Sequence, residues 1–245
     1  MTVLAIETAT SAAAAALADE NGLSAAVELR AGRRHAELLH VAIDTMLHET
    51  GITLSDVGGI AVDVGPGLFT GIRVGVAAAK GFAMALGVPV VGLTSLRILQ
   101  LGCEAAGQSG AVGVVDLRRG ELAWCLPSSS PDALAARHGP PEDLIADLSA
   151  YLGGRDGPGP LLLAGDGALR SATALSAALG ERIRFAGRQL AVPPVASLAL
   201  QAVAELADGG GLDPVEVAPV YLRDADVRIN WTTRHGAPGR REGVA

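Results

Sequence analysis

The stretch GPGLFTGIRVGVAAAKGFAMA, Gly65 to Ala85, feeds a glycine-rich turn directly into a helix with few bulky side chains. Gly71, Gly75, Ala79 and Ala83 recur at every fourth position and therefore share one face of that helix. Their lack of bulk lets another element approach closely. A glycine inside a helix costs about 1 kcal/mol relative to alanine, so backbone access at Gly75 brings a gain that outweighs propensity. Three partners fit: a second helix, a ligand near the turn, or the chain's own sheet.

Working outward, the 245 residues are 49% hydrophobic and 18% charged, the balance of a globular protein with ample core. Aromatic residues are only 3%, so the core is built from small aliphatic side chains, which favours α/β architecture. Mean hydropathy is +0.37, and the apolar run from Val74 to Leu93 is the best candidate for a membrane span. Lys80 and Pro89 interrupt it, and a central lysine alone costs about 2.5 to 3.5 kcal/mol. Helix, turn and strand is the better reading. No basic leader precedes the first apolar run, which contains Glu7, so a cytoplasmic protein with no membrane association is expected. Cys103 and Cys125 form no metal or disulfide framework and read as small buried hydrophobes. A net charge of −7 argues against direct grip on a phosphate backbone. Any RNA is expected to be held by a partner.

Strand patterns at Val3–Glu7, Ala12–Leu17 and Ser24–Leu29, with an Asn21-Gly22 turn, predict an opening antiparallel meander. Leu38, Leu39, Ala42, Ile43, Met46 and Leu47 predict a helix over His35–Glu49, closed by Gly51. A strand at Gly59–Val64, the helix Thr70–Ala85 and a strand at Val88–Gly92 complete a β-β-β-α-β-α-β unit, with a further helix at Ser95–Ala106. The same alternation is predicted again. A hairpin around Arg118-Arg119-Gly120 precedes a helix at Pro141–Tyr151, a strand at Leu161–Ala164 and a helix at Ala168–Leu179. A helix at Val195–Ala207 and strand-like Val217–Leu222 follow. The expected division is an N-terminal lobe over 1–103 and a second lobe over 104–225, with the helix at about 195–207 packing back on the first. A flexible tail is expected over 226–245.

Five blocks in this order resemble the TsaB proteins, also called YeaZ: VLAIETAT, RRHAELL, GPGLFTGIRVGVAAAKGFA, VVDLRRGELAW and APVYLRD. They extend from Val3 to about Asp224. The resemblance implies an actin-like, Hsp70-like (ASKHA) fold of two lobes, each built on a β-β-β-α-β-α-β unit, with a cleft between them. It also implies a non-catalytic relative of TsaD. With TsaD and the ATPase TsaE, such proteins take part in placing a threonylcarbamoyl group on the N6 of an adenosine in tRNA. The implied partners are TsaD, as a heterodimer through the N-terminal helices, and TsaE, with a homodimer in isolation. Contact with tRNA is implied only through the complex. Two positions depart from the family pattern: Glu7 stands where Asp is usual, and Leu68 where Ser is usual.

For chemistry, the sequence offers little. His35 and His40 lie five residues apart, about 140° around a helix, and no HxxxH or HExxH pair occurs. The segment after the strand Val88–Gly92, where TsaD-type proteins carry paired histidines, reads Leu93-Thr94-Ser95-Leu96-Arg97. No catalytic, cofactor-binding or metal residues are expected. The Gly65–Gly71 turn lacks the Lys-Ser/Thr of a P-loop, and its third glycine is one residue late for GxGxxG. A structural turn is the better reading of it. The alternative function is a stand-alone actin-like ATPase or small-molecule kinase, with Gly65, Gly67 and Gly165 around phosphates and Thr8, Thr10 and Ser11 nearby. The Asp116, Arg118 and Glu121 group reads as a surface ion-pair network. The expected working surface is a partner interface of His35, Leu38, Leu39, Ala42, Met46, Gly71, Gly75, Val76, Ala79 and Ala83. These would form half of a four-helix contact with a similar subunit.

Overall fold

The computed structural model describes residues 1–127, 136–154 and 159–222. The first half forms β1 (Thr2–Glu7), β2 (Ala12–Asp19), β3 (Gly22–Arg30), α1 (His35–Thr50), β4 (Val57–Asp63), α2 (Phe69–Leu86) and β5 (Val90–Leu93). Its sheet has the order β3-β2-β1-β4-β5, with β1, β2 and β3 antiparallel and β1, β4 and β5 parallel. Gly51 closes α1 in the left-handed conformation, φ 69°, a geometry that glycine takes without a Cβ penalty.

After α3 (Ser95–Ala105) come β6 (Val112–Arg118), β7 (Glu121–Cys125), β8 (Arg137–Gly139), α4 (Pro141–Gly153), β9 (Leu161–Ala164), α5 (Asp166–Arg170), α6 (Ala172–Leu179), β10 (Ile183–Phe185) and α7 (Val195–Ala207). The second sheet reads β8-β7-β6-β9-β10, again with β6 parallel to β9. The two halves are therefore the same topology run twice. Neither β8 nor β10 is anticipated from sequence, since three-residue strands carry no periodicity. The helix expected at Ala168–Leu179 is two, α5 and α6, parted at Ser171.

Both faces of the first sheet are covered. Even positions of β1 and β4 (Leu4, Ile6, Ile60, Val62) pack under α1 and α2, whereas Val3, Ala5 and Ala61 pack under α7. β2 sits between these layers, and Ala12 to Ala18 are all buried. Alanine is a poor strand former, but here small side chains on both faces let the helices come close, and tertiary packing overrides propensity. Helix α3 is shared: Ile98 joins the core under α7, and Leu96, Leu99 and Cys103 join the second sheet's core. Both cysteines are buried and free.

Val217–Leu222, expected to be strand-like, joins neither sheet. Residues 208–222 form a strap returning to the first half, where Leu212 bridges Val90 and the Val220 N–H donates to the Val64 carbonyl at 2.7 Å. Lys80 Nζ donates to the carbonyls of Val215 and Val217, each at 3.0 Å, tying the strap along α2. By length and composition α2 is the one described helix able to cross a membrane. Its inner face nevertheless belongs to the first core cluster, and its lysine binds this strap. Both are properties of a core helix. The tail expected over 226–245 lies outside the described residues.

Candidate functional site

The ten residues expected at a partner interface face the other way. His35, Leu39, Ala42, Met46, Gly71, Gly75, Val76, Ala79 and Ala83 are buried within the chain, and Leu38 is half-buried against the same core. The reason is steric. A Cβ on Gly71 would overlap the Thr8 carbonyl oxygen, and one on Gly75 would overlap Thr8 Oγ1. The small stripe thus lets α2 lie directly on the end of β1, where Thr8 Oγ1 donates to the Gly71 carbonyl at 2.8 Å. His35 is spent on the same junction, its Nε2 standing 2.8 Å from the Thr10 carbonyl oxygen. Of the expected surface, the structure brings all ten together, but as core.

What α1 and α2 present to solvent is a second small-residue face that the four-residue spacing did not single out. On α2 it consists of Ala77, Gly81, Met84 and Ala85, and on α1 of Val41, His40 and Asp44. Met84 is 64% exposed and Val41 49%. A Cβ at Gly81 would meet nothing. At the N-terminal end of α2 an exposed cluster closes this face: the Arg73 guanidinium lies 3.7 Å from the Phe69 ring centroid, and its Nε donates to the Tyr221 hydroxyl at 3.0 Å.

The turn before α2 is occupied by the chain itself. The Gly65 N–H donates to Asp63 Oδ1 at 2.7 Å and the Leu68 N–H to the Ala9 carbonyl at 2.7 Å. Gly67 lies so near Ala9 that a Cβ would overlap its carbonyl oxygen. Leu68 stands at the N-cap without a capping side chain, in keeping with its departure from Ser. In the second half, the Gly165 N–H donates to the Leu190 carbonyl. Donors that a phosphate would require at Gly65 and Gly165 are therefore already used. Thr8 and Thr10 are likewise engaged, Thr10 with Glu7.

Beneath this turn lies a group that sequence reading missed. Glu7 ends β1 and Asp63 ends β4, and the parallel register Ile6↔Val62 sets the two side by side on one face. Both are fully buried. Asp63 Oδ1 accepts from Ser95 Oγ and from the Gly65 N–H, each at 2.7 Å, while Glu7 Oε1 accepts from Thr10 N and Oγ1 at 3.2 and 3.1 Å. The other two oxygens, Glu7 Oε2 and Asp63 Oδ2, accept from no donor among the described residues. Burial pushes the Glu7 carboxyl well up, helped by the Asp63 charge, and pushes Asp63 up to about 7. The available signal was Asp63, an acidic residue two positions before a glycine turn.

The equivalent ends in the second sheet are handled differently. Asp116, read from sequence as part of a surface network, is buried; the Arg118 and Arg170 guanidinium groups approach its Oδ2 at 3.0 and 2.7 Å. Arg118 and Arg119 turn the hairpin with φ of 68° and 56°. Asp166 Oδ1 accepts from the Asp116 N–H, and burial raises its carboxyl. Among the described residues, no three His, Cys, Asp or Glu side chains gather into a metal-holding group.

Two sheets of matching order, each with parallel strands flanked by an antiparallel meander, give the chain an actin-like α/β fold. The family model of TsaD, tRNA N6-adenosine threonylcarbamoyltransferase, matches residues 27–146. TsaB of Escherichia coli, a tRNA threonylcarbamoyladenosine biosynthesis protein, is 33% identical over 125 residues, 51% of this chain and 54% of that protein. YeaZ of Pseudomonas aeruginosa superposes with a TM-score of 0.70 at 26% identity, covering 90% of this chain and 100% of that one. A second Pseudomonas aeruginosa structure, of a protein described as similar to peptidase YeaZ, gives 0.73 at 27% identity, with 91% and 99% covered. The chain is similar to TsaB and YeaZ proteins in sequence and in fold. It spans about half the length of the curated relatives it matches.

Proposed function

We propose that this chain serves tRNA threonylcarbamoyladenosine biosynthesis as a non-catalytic cytoplasmic subunit. It binds and stabilises a TsaD-type subunit through the outward faces of α1 and α2 and helps recruit a TsaE-type ATPase. The same faces pair two copies of the chain when that partner is absent, and tRNA is reached only through the assembly. Similarity to TsaB supports the process. The observation that carries the scaffold reading is the exposed run Ala77, Gly81, Met84 and Ala85 on α2, with Val41 exposed on α1, an apolar surface with little bulk over which another helix can pack closely. The alternative, a stand-alone ATPase or kinase, lacks free donors where Gly65 and Gly165 would have to meet phosphates.

Co-expression with the TsaD-type subunit of the same genome tests the reading. Gly81→Glu adds a side chain into open space, so the variant keeps its melting temperature. It is expected to lose at least tenfold in affinity, because a desolvated carboxylate costs more than 1.4 kcal/mol. Wild-type affinity in a folded Gly81→Glu variant sinks the interface; ATP hydrolysis by the purified chain with Mg²⁺ sinks the non-catalytic reading.

A further inference from the structure

We propose that Glu7 and Asp63 hold one proton between them, Glu7 Oε2–H donating to Asp63 Oδ2, and that this buried acid pair locks the joint where β4, the Gly65–Gly67 turn and α3 meet. The placement of the proton follows from the hydrogen bonds. Two short donors, Ser95 Oγ and the Gly65 N–H, favour the anion at Asp63, whereas the Glu7 contacts with Thr10 are longer. With Glu7 as the acid, the two oxygens that have no other donor satisfy each other.

Among the described residues, the surroundings hold no cation to replace that proton. β2 contributes alanines on this face, and α7 contributes Val195, Leu198 and Ala199. From α3 come Ser95 and Ile98, its Arg97 being paired with Glu104. The one histidine beside the β1–β2 turn, His35, is committed to the Thr10 carbonyl. No ion pair among the described residues reaches either carboxyl. Two carboxylates side by side in such a setting cannot both ionise cheaply, so one proton stays.

Asp63 is also the staple of the joint. Its Oδ1 joins the turn, through Gly65, to the first residue of α3, and the Ser95 N–H returns a bond to the Gly65 carbonyl at 2.9 Å. Helix α3 carries core residues of both sheets. Loss of the shared proton sets two anions against each other at this point, and relief requires the start of α3 to part from the turn.

The sign follows from the raised Glu7 and Asp63 carboxyls: the folded chain keeps a proton that the unfolded chain has released, so stability falls as pH rises above about 4, where unfolded carboxyls release theirs. The test measures denaturation midpoints of the full chain from pH 5 to 9 for wild type, Asp63→Asn and Glu7→Gln. The wild-type unfolding constant should climb relative to either variant by up to about tenfold per pH unit between pH 5 and 7. Each variant keeps a single buried carboxyl with an amide donating to it, so its slope there should be shallower than that of wild type. Parallel curves overturn the proposal. As a measurement that needs no folded variant, carbon-13 carboxyl spectra of wild type at pH 7 should contain a protonated carboxyl; a fully ionised set overturns it. A rise in the wild-type midpoint on adding Mg²⁺ at pH 8, absent in Glu7→Gln, would mean that a cation takes the place of the proton and would also overturn it.

Discussion

The inner and outer faces of α2 both carry small residues and have opposite surroundings. Gly71, Gly75, Ala79 and Ala83 lie against the chain's own β1 end and core; Ala77, Gly81 and Ala85 look outward. What separates them is contact. Inside, the glycines are required by backbone and side-chain atoms of Thr8, and outside, Gly81 touches nothing. Small residues at helical spacing thus allow a close approach, without saying by what. On the inner face it is β1. On the outer face nothing in the described chain comes close, which is why the proposed interface moves from the first stripe to the second.

The comparison breaks most visibly at Gly71. Gly71→Val would drive a branched side chain into the Thr8 carbonyl, which is fixed by the strand behind it, and α2 would have to lift from β1. Overpacking of this kind costs about 3 kcal/mol, a large part of the 5 to 15 kcal/mol usual for a domain. The variant should accumulate in the insoluble fraction or show a midpoint far below wild type in chemical denaturation. Near-wild-type stability would mean that the inner face is looser than its contacts indicate.

The amphipathic and glycine signals that made the fold legible failed to sort these faces. Alternation and the Asn21-Gly22 turn gave the meander, the Leu38-to-Leu47 spacing gave α1, and the Gly51 cap closed it. The topological repeat was readable because element order survives where sequence similarity does not. Two kinds of information were absent. Strands as short as β8 and β10 gain their structure from neighbours already in place. The pairing of Glu7 with Asp63 depends on the register of β1 against β4, 56 residues apart in sequence and fixed only by the assembled sheet. A polar residue at the end of an apolar strand reads as the start of a loop. Only burial on both sides turns it into an acid pair. The resemblance blocks pointed to TsaB/YeaZ proteins, but the segment GPGLFTG lies against the end of β1 and the turn after it, and carried no direction towards the surface that faces out.

A smaller effect probes the side of α2, between the two faces. Lys80 is half-buried and bonds the carbonyls of Val215 and Val217, so it decides whether the strap stays on the helix. Lys80→Met keeps the stem and removes the donors. Water can reach these carbonyls, so the loss should be only about 1 kcal/mol. The readout is local: the Val220 N–H, bonded to Val64, should exchange with solvent several-fold faster while amides of β1 and β4 are unchanged. Uniformly faster exchange would show that the strap belongs to the global folding unit.

The smallest change has the opposite sign. At Gly81 a methyl group meets no atom and the helix gains propensity, so Gly81→Ala should raise stability by about 0.5 to 1 kcal/mol. The same substitution at Gly75 would force Thr8 Oγ1 from its bond to Gly71 and cannot give that gain. A sequence that leaves such stabilisation unused at Gly81 on an exposed helix has either met no selection there or keeps the backbone bare for a reason. Measuring the midpoint of Gly81→Ala alone and its affinity for a TsaD-type subunit separates these. Higher stability with weaker binding assigns the glycine to a close helix contact, whereas higher stability with unchanged binding leaves the outer face only incidentally small.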